Sequence, residues 1–441
     1  MDNLFSKERG IKSIKLLASP TADLLSAFMT SRLHVPAVPA RPGEQPDFSY
    51  VKVAAAGQAP RPPINVTVLG TTPLAEDLVR VLDDGHRAVG PWAPKLDAET
   101  LRRGLRVMML TRAFDDRMQR AQRQGRITFY MRSLGEEAVS AAAAIALRDG
   151  DMLFPSYRNQ GLFLSRGLSL VDLMSQLLSN SRDMCKGRQL PVMYHSAEHR
   201  IFSISGNLAT QFPQAVGWAM AAAIKGETDI AAAWLGEGST AEADFHHALT
   251  FAKVYKAPAV LNVVNNQWAI STFQGYAGGE QRSFAARGPG MGIAGLRVDG
   301  NDFLAVYAAT AWAAERARAG HGATLIEHVT YRAGAHSTSD DPARYRPKDE
   351  FDAWPLGDPV ERLKSHLVTL GEWDDARHES LSKELDESVT AAWHEAVSYG
   401  TLNEGPRLDP SLMFEDVFKE LPPHLLAQRE ELMAELAERG E

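Results

Sequence analysis

The sequence predicts an α/β fold, in which a doubly wound and mostly parallel sheet carries helices on both faces. Two observations lead to this prediction. Short apolar runs rich in alanine, valine, leucine and isoleucine alternate with stretches in which apolar residues recur at helical spacing. A glycine-rich turn, Gly236-Glu237-Gly238, also stands directly between an apolar run and a helical stretch. Such alternation is typical of strand–helix–strand units in a parallel sheet.

The N-terminal part of the chain lacks this alternation. Residues 1–32 contain no apolar segment followed by a small-residue cleavage site, so we predict a disordered leader and not a signal peptide. Seven prolines lie between Pro36 and Pro63. Because proline favours an extended backbone, residues 33–98 are predicted to form an extended arm that wraps another surface.

Residues 99–360 are predicted to form the α/β domain. The helix predicted at 99–123 ends just before Gly125, which suits the glycine preference at helix C-termini. Further helices are predicted at 135–147, 241–255 and 304–318, and strands at 151–154, 230–235, 259–264 and 324–329. Residues 361–441 are charged and are predicted to form a C-terminal helical region.

Composition excludes several classes of protein. The chain has 47 basic and 55 acidic residues, a net charge of −8, and shows no basic stripe, so nucleic-acid binding is not expected. No apolar stretch approaches the roughly 20 residues that span a bilayer, so no membrane partner is expected. The single cysteine, Cys185, excludes an intramolecular disulfide and favours a reduced, cytoplasmic location. We expect this cysteine to be inert.

The glycine-rich turn admits two interpretations. Gly236, Gly238 and Ala241 match the dinucleotide-binding fingerprint, which would make the protein an NAD-dependent dehydrogenase. That fingerprint also needs an acidic residue about 20 positions later, for the ribose hydroxyls. No Asp or Glu occurs in residues 245–279, and Asn265-Asn266 stands at the end of the next strand instead. The sequence therefore argues against a nicotinamide site.

The second interpretation joins Glu237 and Asn266 in one site. Although 26 residues (239–264) separate Gly238 from Asn265, parallel strands end at the same edge of a sheet, so the two side chains can converge. Carboxylate and amide oxygens are ligands that suit Mg²⁺, which often binds through a phosphate group and few protein ligands. The sequence therefore predicts a magnesium and diphosphate site.

The pattern Gly-Glu-Gly, 26 residues, Asn-Asn resembles the thiamine diphosphate motif. Five other segments resemble the α subunits of branched-chain 2-oxo acid dehydrogenases: GRITFY (125–130), FPSYR (154–158), ISGNLATQ (204–211), RVDGND (297–302) and YRAGAHSTSDD (331–341). The resemblance extends from about residue 33 to the C-terminus. It implies a thiamine diphosphate-binding fold and oxidative decarboxylation of 2-oxo acids such as 3-methyl-2-oxobutanoate.

The resemblance also implies roles for individual residues. The cofactor would contact Tyr157, Arg158, Leu208, Gly236, Glu237, Gly238, Ser239, Asn266, Arg332 and His336. Mg²⁺ would bind Glu237, Asn266 and the main-chain oxygen of Trp268, and K⁺ would bind the loop of Ser205, Asn207, Thr210 and Gln211. His336 would be catalytic and would help the acyl group pass to a lipoyl arm.

Some residues keep two interpretations. Phe129 and Tyr130 could line a pocket for a branched aliphatic side chain, or they could be aromatic core residues. His246 and His247 lack the spacing and the third ligand of a zinc site, so packing or interface roles are favoured.

Thiamine enzymes need a second, pyrimidine-binding domain, for which this chain has no room. The resemblance therefore implies an α₂β₂ heterotetramer with a β subunit, active only in that form, and acyl transfer to a lipoylated acyltransferase core. A pyruvate or acetoin dehydrogenase α subunit and a non-catalytic assembly subunit remain as alternatives.

Overall fold

The computed structural model describes residues 34–280, 282–406 and 408–439. The chain divides into two units, residues 1–37 and residues 38–441. In the first unit only residues 34–37 are described, and they form neither helix nor strand. The predicted leader, 1–32, lies outside the described residues. Every element named below belongs to the second unit.

A six-stranded parallel sheet forms the centre of this unit. Its strands are β1 (Leu78–Val79), β2 (Met152–Phe154), β3 (Ala231–Gly236), β4 (Ala259–Asn265), β7 (Ala294–Asp299) and β8 (Thr324–Val329). Their order across the sheet is β1-β7-β8-β4-β3-β2. A small antiparallel hairpin pairs β5 (Trp268–Ala269) with β6 (Thr272–Phe273). The parallel α/β fold predicted from the sequence is confirmed.

Helices pack around the sheet and follow it in the chain as far as Arg439. They are α1 (Thr72–Glu76), α2 (Ala98–Arg123), α3 (Glu137–Ala146), α4 (Gln160–Ser165), α5 (Leu170–Leu178), α6 (Gln211–Ile224), α7 (Ala243–Tyr255), α8 (Arg287–Met291), α9 (Phe303–Arg318), α10 (Pro359–Thr369), α11 (Asp375–Ser398) and α12 (Pro423–Arg439). In the described part of the chain, none of these helices combines the length and the apolar character that crossing a membrane requires.

Both faces of the sheet are covered by hydrophobic cores, which explains why β3 and most of β4 are apolar. In β4, Val260 and Val264 belong to the core on one face, while Leu261 and Val263 belong to the core on the other. This alternation follows from the period of two in a strand. A strand buried on both faces needs apolar residues at nearly every position.

The segment predicted as an arm also contributes to the sheet. β1 forms its edge, and the next residues are held by Asp302, whose Oδ2 accepts hydrogen bonds from the main-chain N–H groups of Val81 (2.8 Å) and Leu82 (2.6 Å). The Oδ1 of Asp302 caps α9 by accepting from Leu304 and Ala305. A two-residue strand shows no periodicity, so no pattern in the sequence predicts it.

Candidate functional site

The carboxyl ends of β2, β3, β4 and β8 meet at one edge of the sheet, beside a cavity of about 710 Å³. Open α/β sheets bind ligands at this edge. Of the residues predicted as a site, those that line the cavity are Phe129, Tyr157, Arg158, Ser205, Asn207, Leu208, Gln211, Gly236, Glu237, Gly238, Ser239, Asn266, Trp268 and His336. Tyr130, Thr210 and Arg332 are not among its lining residues.

Glu237 and Asn266 lie together, as the spacing predicts. Glu237 begins a 3₁₀ turn directly after β3, and its Oε2 accepts a hydrogen bond from the main-chain N–H of Asn266 at 3.3 Å. The carboxylate is almost fully buried, and its other oxygen, Oε1, has no hydrogen-bond partner. A buried carboxylate oxygen without a partner is costly. It is therefore suited to a ligand that brings positive charge.

The two glycines of the turn differ in their surroundings. A Cβ at Gly238 would lie 2.4 Å from the Cβ of Ala269, which no real contact allows. A Cβ at Gly236 would meet no atom within 4 Å, because this position faces open space. The absence of side chains thus keeps the turn close to β5 and leaves room in front of Gly236. Main-chain groups at such a turn can approach the oxygens of a phosphate.

Glu136 is a site residue that sequence reasoning missed. It precedes α3 and lines the cavity, where its Oε1 accepts a hydrogen bond from the Nδ2 of Asn266 at 2.7 Å. The same oxygen lies 3.6 Å from the Nε of Arg158. In the sequence, Glu136 and Glu137 form an acidic pair at the start of a helix, which is typical of an exposed helix end. The pattern therefore carried no signal for a buried site carboxylate.

Arg158 and His336 form one cluster on the cavity wall. The Nη2 of Arg158 donates to the main-chain oxygen of His336 at 2.8 Å and lies 3.4 Å from its Nδ1. The Nη1 of Arg332 lies 3.5 Å from the same Nδ1. Because a guanidinium can only donate, Nδ1 must be the accepting nitrogen, which places the proton of the neutral ring on Nε2.

The pKa values in this cluster follow from burial and charge. Burial, reinforced by the charges of Arg158 and Arg332, lowers the pKa of His336 from 6.5 to about 3, so the imidazole is neutral at about pH 7. Burial raises the pKa of Glu136 to about 7. It also raises the pKa of Glu237 to about 7, and the charge of Glu136 adds to this increase. Perturbed groups lining one cavity mark a functional site.

Arg332 lies behind the cavity wall. It is fully buried, and its guanidinium donates to the main-chain oxygens of Trp268 (2.8 Å) and Ile270 (2.9 Å) and to the hydroxyl of Tyr345 (2.6 Å). The charge predicted to contact a diphosphate is therefore already engaged in holding the β5–β6 hairpin. Burial lowers the pKa of Arg332 to about 10, with the charge of Arg158 as a further cause.

Of the two aromatic residues predicted to line a substrate pocket, only one faces the cavity. Phe129 lines the cavity. Tyr130 is fully buried elsewhere, with its ring against Phe114 and its hydroxyl donating to Asp115 at 2.6 Å. Consecutive residues in an extended segment point in opposite directions, so only one of the pair can face the cavity. Tyr130 is a core residue.

The loop predicted to bind K⁺ lies at the rim of the cavity. The Oγ of Ser205 accepts from the main-chain N–H of Asn207 at 3.1 Å, and the main-chain oxygen of Asn207 accepts from the Thr210 hydroxyl at 2.9 Å. Gln211 instead donates to the main-chain oxygen of Trp234 at 2.7 Å, and its own Oε1 has no partner. The loop is thus held largely by its own hydrogen bonds.

Cys185 lies close to a histidine that is ten residues away in the sequence. Although no histidine adjoins it in the sequence, its Sγ lies 3.4 Å from the Nδ1 of His195. Burial, together with the charge of Asp183, raises the pKa of the thiol to about 12. The thiol therefore stays protonated at about pH 7, as expected of an inert cysteine.

In the part of the chain that the structure describes, side chains of the usual metal-binding types do not cluster in threes. Within the described residues, no group of three or more His, Cys, Asp and Glu side chains is arranged to hold a metal ion. His246 and His247 lie exposed on α7. A cation beside Glu237 would therefore depend on amide and main-chain oxygens and on a ligand of its own.

Comparison with known proteins identifies the family. Residues 105–404 match the family described as "Dehydrogenase E1 component". The chain belongs to this family. Residues 30–68 also match the description "2-oxoisovalerate dehydrogenase E1 alpha subunit N terminal". The E1 component family is thiamine diphosphate-dependent, which agrees with the Gly-Glu-Gly and Asn-Asn pair at the edge of the sheet.

Individual relatives share most of the chain. The 2-oxoisovalerate dehydrogenase subunit alpha of Pseudomonas aeruginosa is 60% identical over 408 residues, which are 92% of this chain and 100% of that protein. The mitochondrial protein of the same name from Bos taurus is 40% identical over 368 residues, 82% of this chain and 79% of that protein. The 3-methyl-2-oxobutanoate dehydrogenase subunit alpha of Mycobacterium tuberculosis is 40% identical over 351 residues, 78% of this chain and 89% of that protein.

Proposed function

We propose that this chain is the α subunit of the decarboxylase component of a branched-chain 2-oxo acid dehydrogenase complex. In this role it would oxidatively decarboxylate 3-methyl-2-oxobutanoate and related acids and pass the acyl group to a lipoyl group. The observation that carries the proposal is the pair of Glu237 and Asn266 at the ends of β3 and β4, beside a cavity. The names of the relatives supply the substrate class.

A magnesium ion fits the donor set at this pair. Glu237 offers the unpartnered Oε1, and Asn266 and the main-chain oxygen of Trp268 offer neutral oxygens. This set is too small to bind Mg²⁺ alone. It is sufficient when a diphosphate supplies further oxygens, which is how Mg²⁺ commonly binds at phosphate sites.

The diphosphate itself would bind to Arg158 and to the main chain of the turn 236–239. Arg158 is 4% exposed and lies on the wall of the cavity with Tyr157, whose ring centroid is 5.7 Å from the guanidinium carbon. A guanidinium can bind phosphate oxygens in a bidentate manner. Arg332 would act through the β5–β6 hairpin and through its charge. Leu208, on the rim, would contact the aminopyrimidine.

Thiamine diphosphate, when bound, supplies the carbon nucleophile and the electron sink that decarboxylation needs. The chain's own contribution to acyl transfer would come from His336. Its Nδ1 accepts from arginine donors, so its Nε2–H is available as a hydrogen-bond donor. When the lipoyl disulfide opens, one sulfur takes the acyl group and the other becomes a thiolate, which takes its proton from solvent. We assign His336 the hydrogen bond to that thiolate, because the imidazole is neutral and carries no acidic proton at about pH 7.

An open and apolar rim supports the need for a partner. Leu190, Leu208 and Ile270 line the cavity and are 70%, 46% and 55% exposed. Apolar side chains of this size at the edge of a site mark an interaction surface. Membership of an E1 component family as an alpha subunit implies a β subunit. We propose that the β subunit covers this rim in an α₂β₂ heterotetramer, and that a lipoylated acyltransferase core receives the acyl group.

Two further assignments belong to the proposal. A potassium ion would bind the oxygens of the loop 205–211, and omission of K⁺ should then lower the thermal stability of the complex. A cytoplasmic location would agree with the single cysteine and with the 60% identical bacterial relative.

The test is reconstitution with the β subunit. We expect the complex to release CO₂ from 3-methyl-2-oxobutanoate only when thiamine diphosphate and Mg²⁺ are both present, and the α chain alone to be inactive. Pyruvate and acetoin serve as comparison substrates, and faster turnover of either would replace the branched-chain assignment. Full activity of a Glu237→Ala complex would show that the metal site has no role.

A further inference from the structure

Glu136 makes contacts that a residue at the start of a helix does not need. It occupies the N-cap position of α3, yet its side chain forms no cap hydrogen bond. Its carboxylate oxygen Oε1 instead contacts Asn266 and Arg158, at 2.7 and 3.6 Å. Glu136 is 4% exposed, although it lines the cavity. Burying a carboxylate costs free energy, which its contacts with Asn266 and Arg158 must offset.

The contact between Glu136 and Asn266 determines which way the Asn266 side-chain amide is turned. A side-chain amide can be turned over, which exchanges its oxygen and its nitrogen, and the two orientations are nearly equal in shape. A carboxylate only accepts hydrogen bonds, so it selects the orientation in which Nδ2 faces Glu136. The opposite end agrees, because Oδ1 accepts from the main-chain N–H of Trp268 at 3.2 Å. An amide oxygen has a second lone pair, which remains for a cation.

We propose that Glu136 is a positioning residue, whose carboxylate fixes the Asn266 amide in the orientation that presents Oδ1 to the metal and holds Arg158 at the cavity wall. This inference rests on the proposed function, because it assumes a metal–diphosphate cofactor at Glu237 and Asn266. A glutamine at position 136 would be nearly the same size. Because its amide can both donate and accept, it would no longer select one orientation of Asn266.

Glu137 provides a matched control. It is also buried, is next in sequence and pairs with a cation, since its Oε1 accepts from the Nε of Arg112 at 2.9 Å. Its Oε2 accepts from the main-chain N–H of Gly135 at 2.9 Å, and it does not line the cavity. Glu137→Gln therefore removes the same charge from the same helix end without altering Asn266.

The experiment measures the Mg²⁺ concentration that half-saturates thiamine diphosphate binding to the α chain co-purified with its β subunit, by calorimetry. We expect Glu136→Gln to raise this concentration by about tenfold or more, as loss of an outer hydrogen-bond partner of a metal ligand does. Glu137→Gln should lower the unfolding temperature and leave the Mg²⁺ requirement unchanged. If Glu136→Gln does not fold, Glu136→Asp, which draws the carboxylate back by one methylene, should shift the requirement in the same direction.

A second starting variant, Asn266→Asp, distinguishes a positioning role of Glu136 from a general effect on stability. In Asn266→Asp, two carboxylates face each other, so adding Glu136→Gln should lower the Mg²⁺ requirement of Asn266→Asp, the reverse of its effect on the wild type. The proposal is overturned if Glu136→Gln binds Mg²⁺ like the wild type, if Glu137→Gln weakens binding equally, or if the effect keeps its sign in Asn266→Asp. A wild-type complex that binds no thiamine diphosphate would overturn the proposed function, and this inference with it.

Discussion

Substitution of Gly238 by alanine tests whether the turn after β3 is shaped by close contact with the β5–β6 hairpin. The new Cβ would lie 2.4 Å from the Cβ of Ala269, whereas the Cα of Ala269 is 3.7 Å away. Ordinary contact between such carbons needs about 3.5 to 4 Å, so the turn and the hairpin must separate by more than about 1 Å. Gly238 does not have a positive φ, so the contact alone carries the cost.

The expected cost of Gly238→Ala is about 1 to 3 kcal/mol in the free energy of unfolding, the usual range for an overpacked core. Thiamine diphosphate binding should also weaken by about tenfold or more, since each 1.4 kcal/mol of misfit is a factor of ten. The decisive arm is the double variant Gly238→Ala/Ala269→Gly. It removes the clashing Cβ and leaves a contact of 3.7 Å, so both stability and affinity should largely return.

Calorimetric titration of thiamine diphosphate and urea unfolding measure the two quantities. Gly236→Ala is the complementary control, because its Cβ meets no atom within 4 Å. It should therefore leave the stability of the cofactor-free chain nearly unchanged while weakening cofactor binding. If the double variant binds as weakly as Gly238→Ala alone, or if Gly238→Ala is as stable as the wild type, close contact with Ala269 does not shape the turn.

Three further outcomes are expected. Glu237→Gln should stabilise the cofactor-free chain by about 1 kcal/mol in urea unfolding, because it removes a buried charge. The same variant should abolish Mg²⁺-dependent cofactor binding. Lower stability of this variant would contradict the expectation that the buried charge of Glu237 destabilises the cofactor-free chain. Phe129→Ala should change the ratio of turnover for branched and straight-chain 2-oxo acids. Tyr130→Phe should leave that ratio unchanged and lower the free energy of unfolding by about 1 to 3 kcal/mol. The opposite pattern would show that Tyr130, and not Phe129, lines the substrate pocket. Burial lowers the pKa of His328 from 6.5 to about 3. As the pH falls, the unfolded chain therefore binds this proton before the folded chain does, and the free energy of unfolding should decrease between about pH 6.5 and pH 3. In urea titrations, His328→Gln should make this decrease less steep, and an unchanged pH dependence would contradict the assignment.

The parallel sheet was predictable because its central strands are buried on both faces. That burial makes β3 and most of β4 apolar runs, which the sequence displays. β7 was not predicted, because Gly295 and Arg297 interrupt its apolar pattern. Gly295 is needed where Ala75 and Pro289 approach, and Arg297 contacts Glu327 across the sheet at 3.8 Å. Such interruptions are explained only by neighbours that are distant in the sequence.

In the candidate site, too, some residues could be predicted from the sequence and others could not. Glu237 and Asn266 were predictable, because the rule that parallel strands end at one edge converts a spacing into a contact. Glu136 was not, since its partners are 22 and 130 residues away in the sequence and an acidic residue at a helix start has an ordinary explanation. Arg332 was assigned to the cavity by resemblance, whereas its hydrogen bonds place it behind the wall.

In the proposed function, Glu237 and Asn266 hold the metal of a diphosphate cofactor. Calorimetric titration of thiamine diphosphate into the co-purified α and β subunits, with Mg²⁺ or with a chelator, measures this role. We expect a single cofactor for each α chain, binding that requires Mg²⁺, and loss of binding in Glu237→Ala. Binding that persists in the chelator, or that is undiminished in Glu237→Ala, would contradict it.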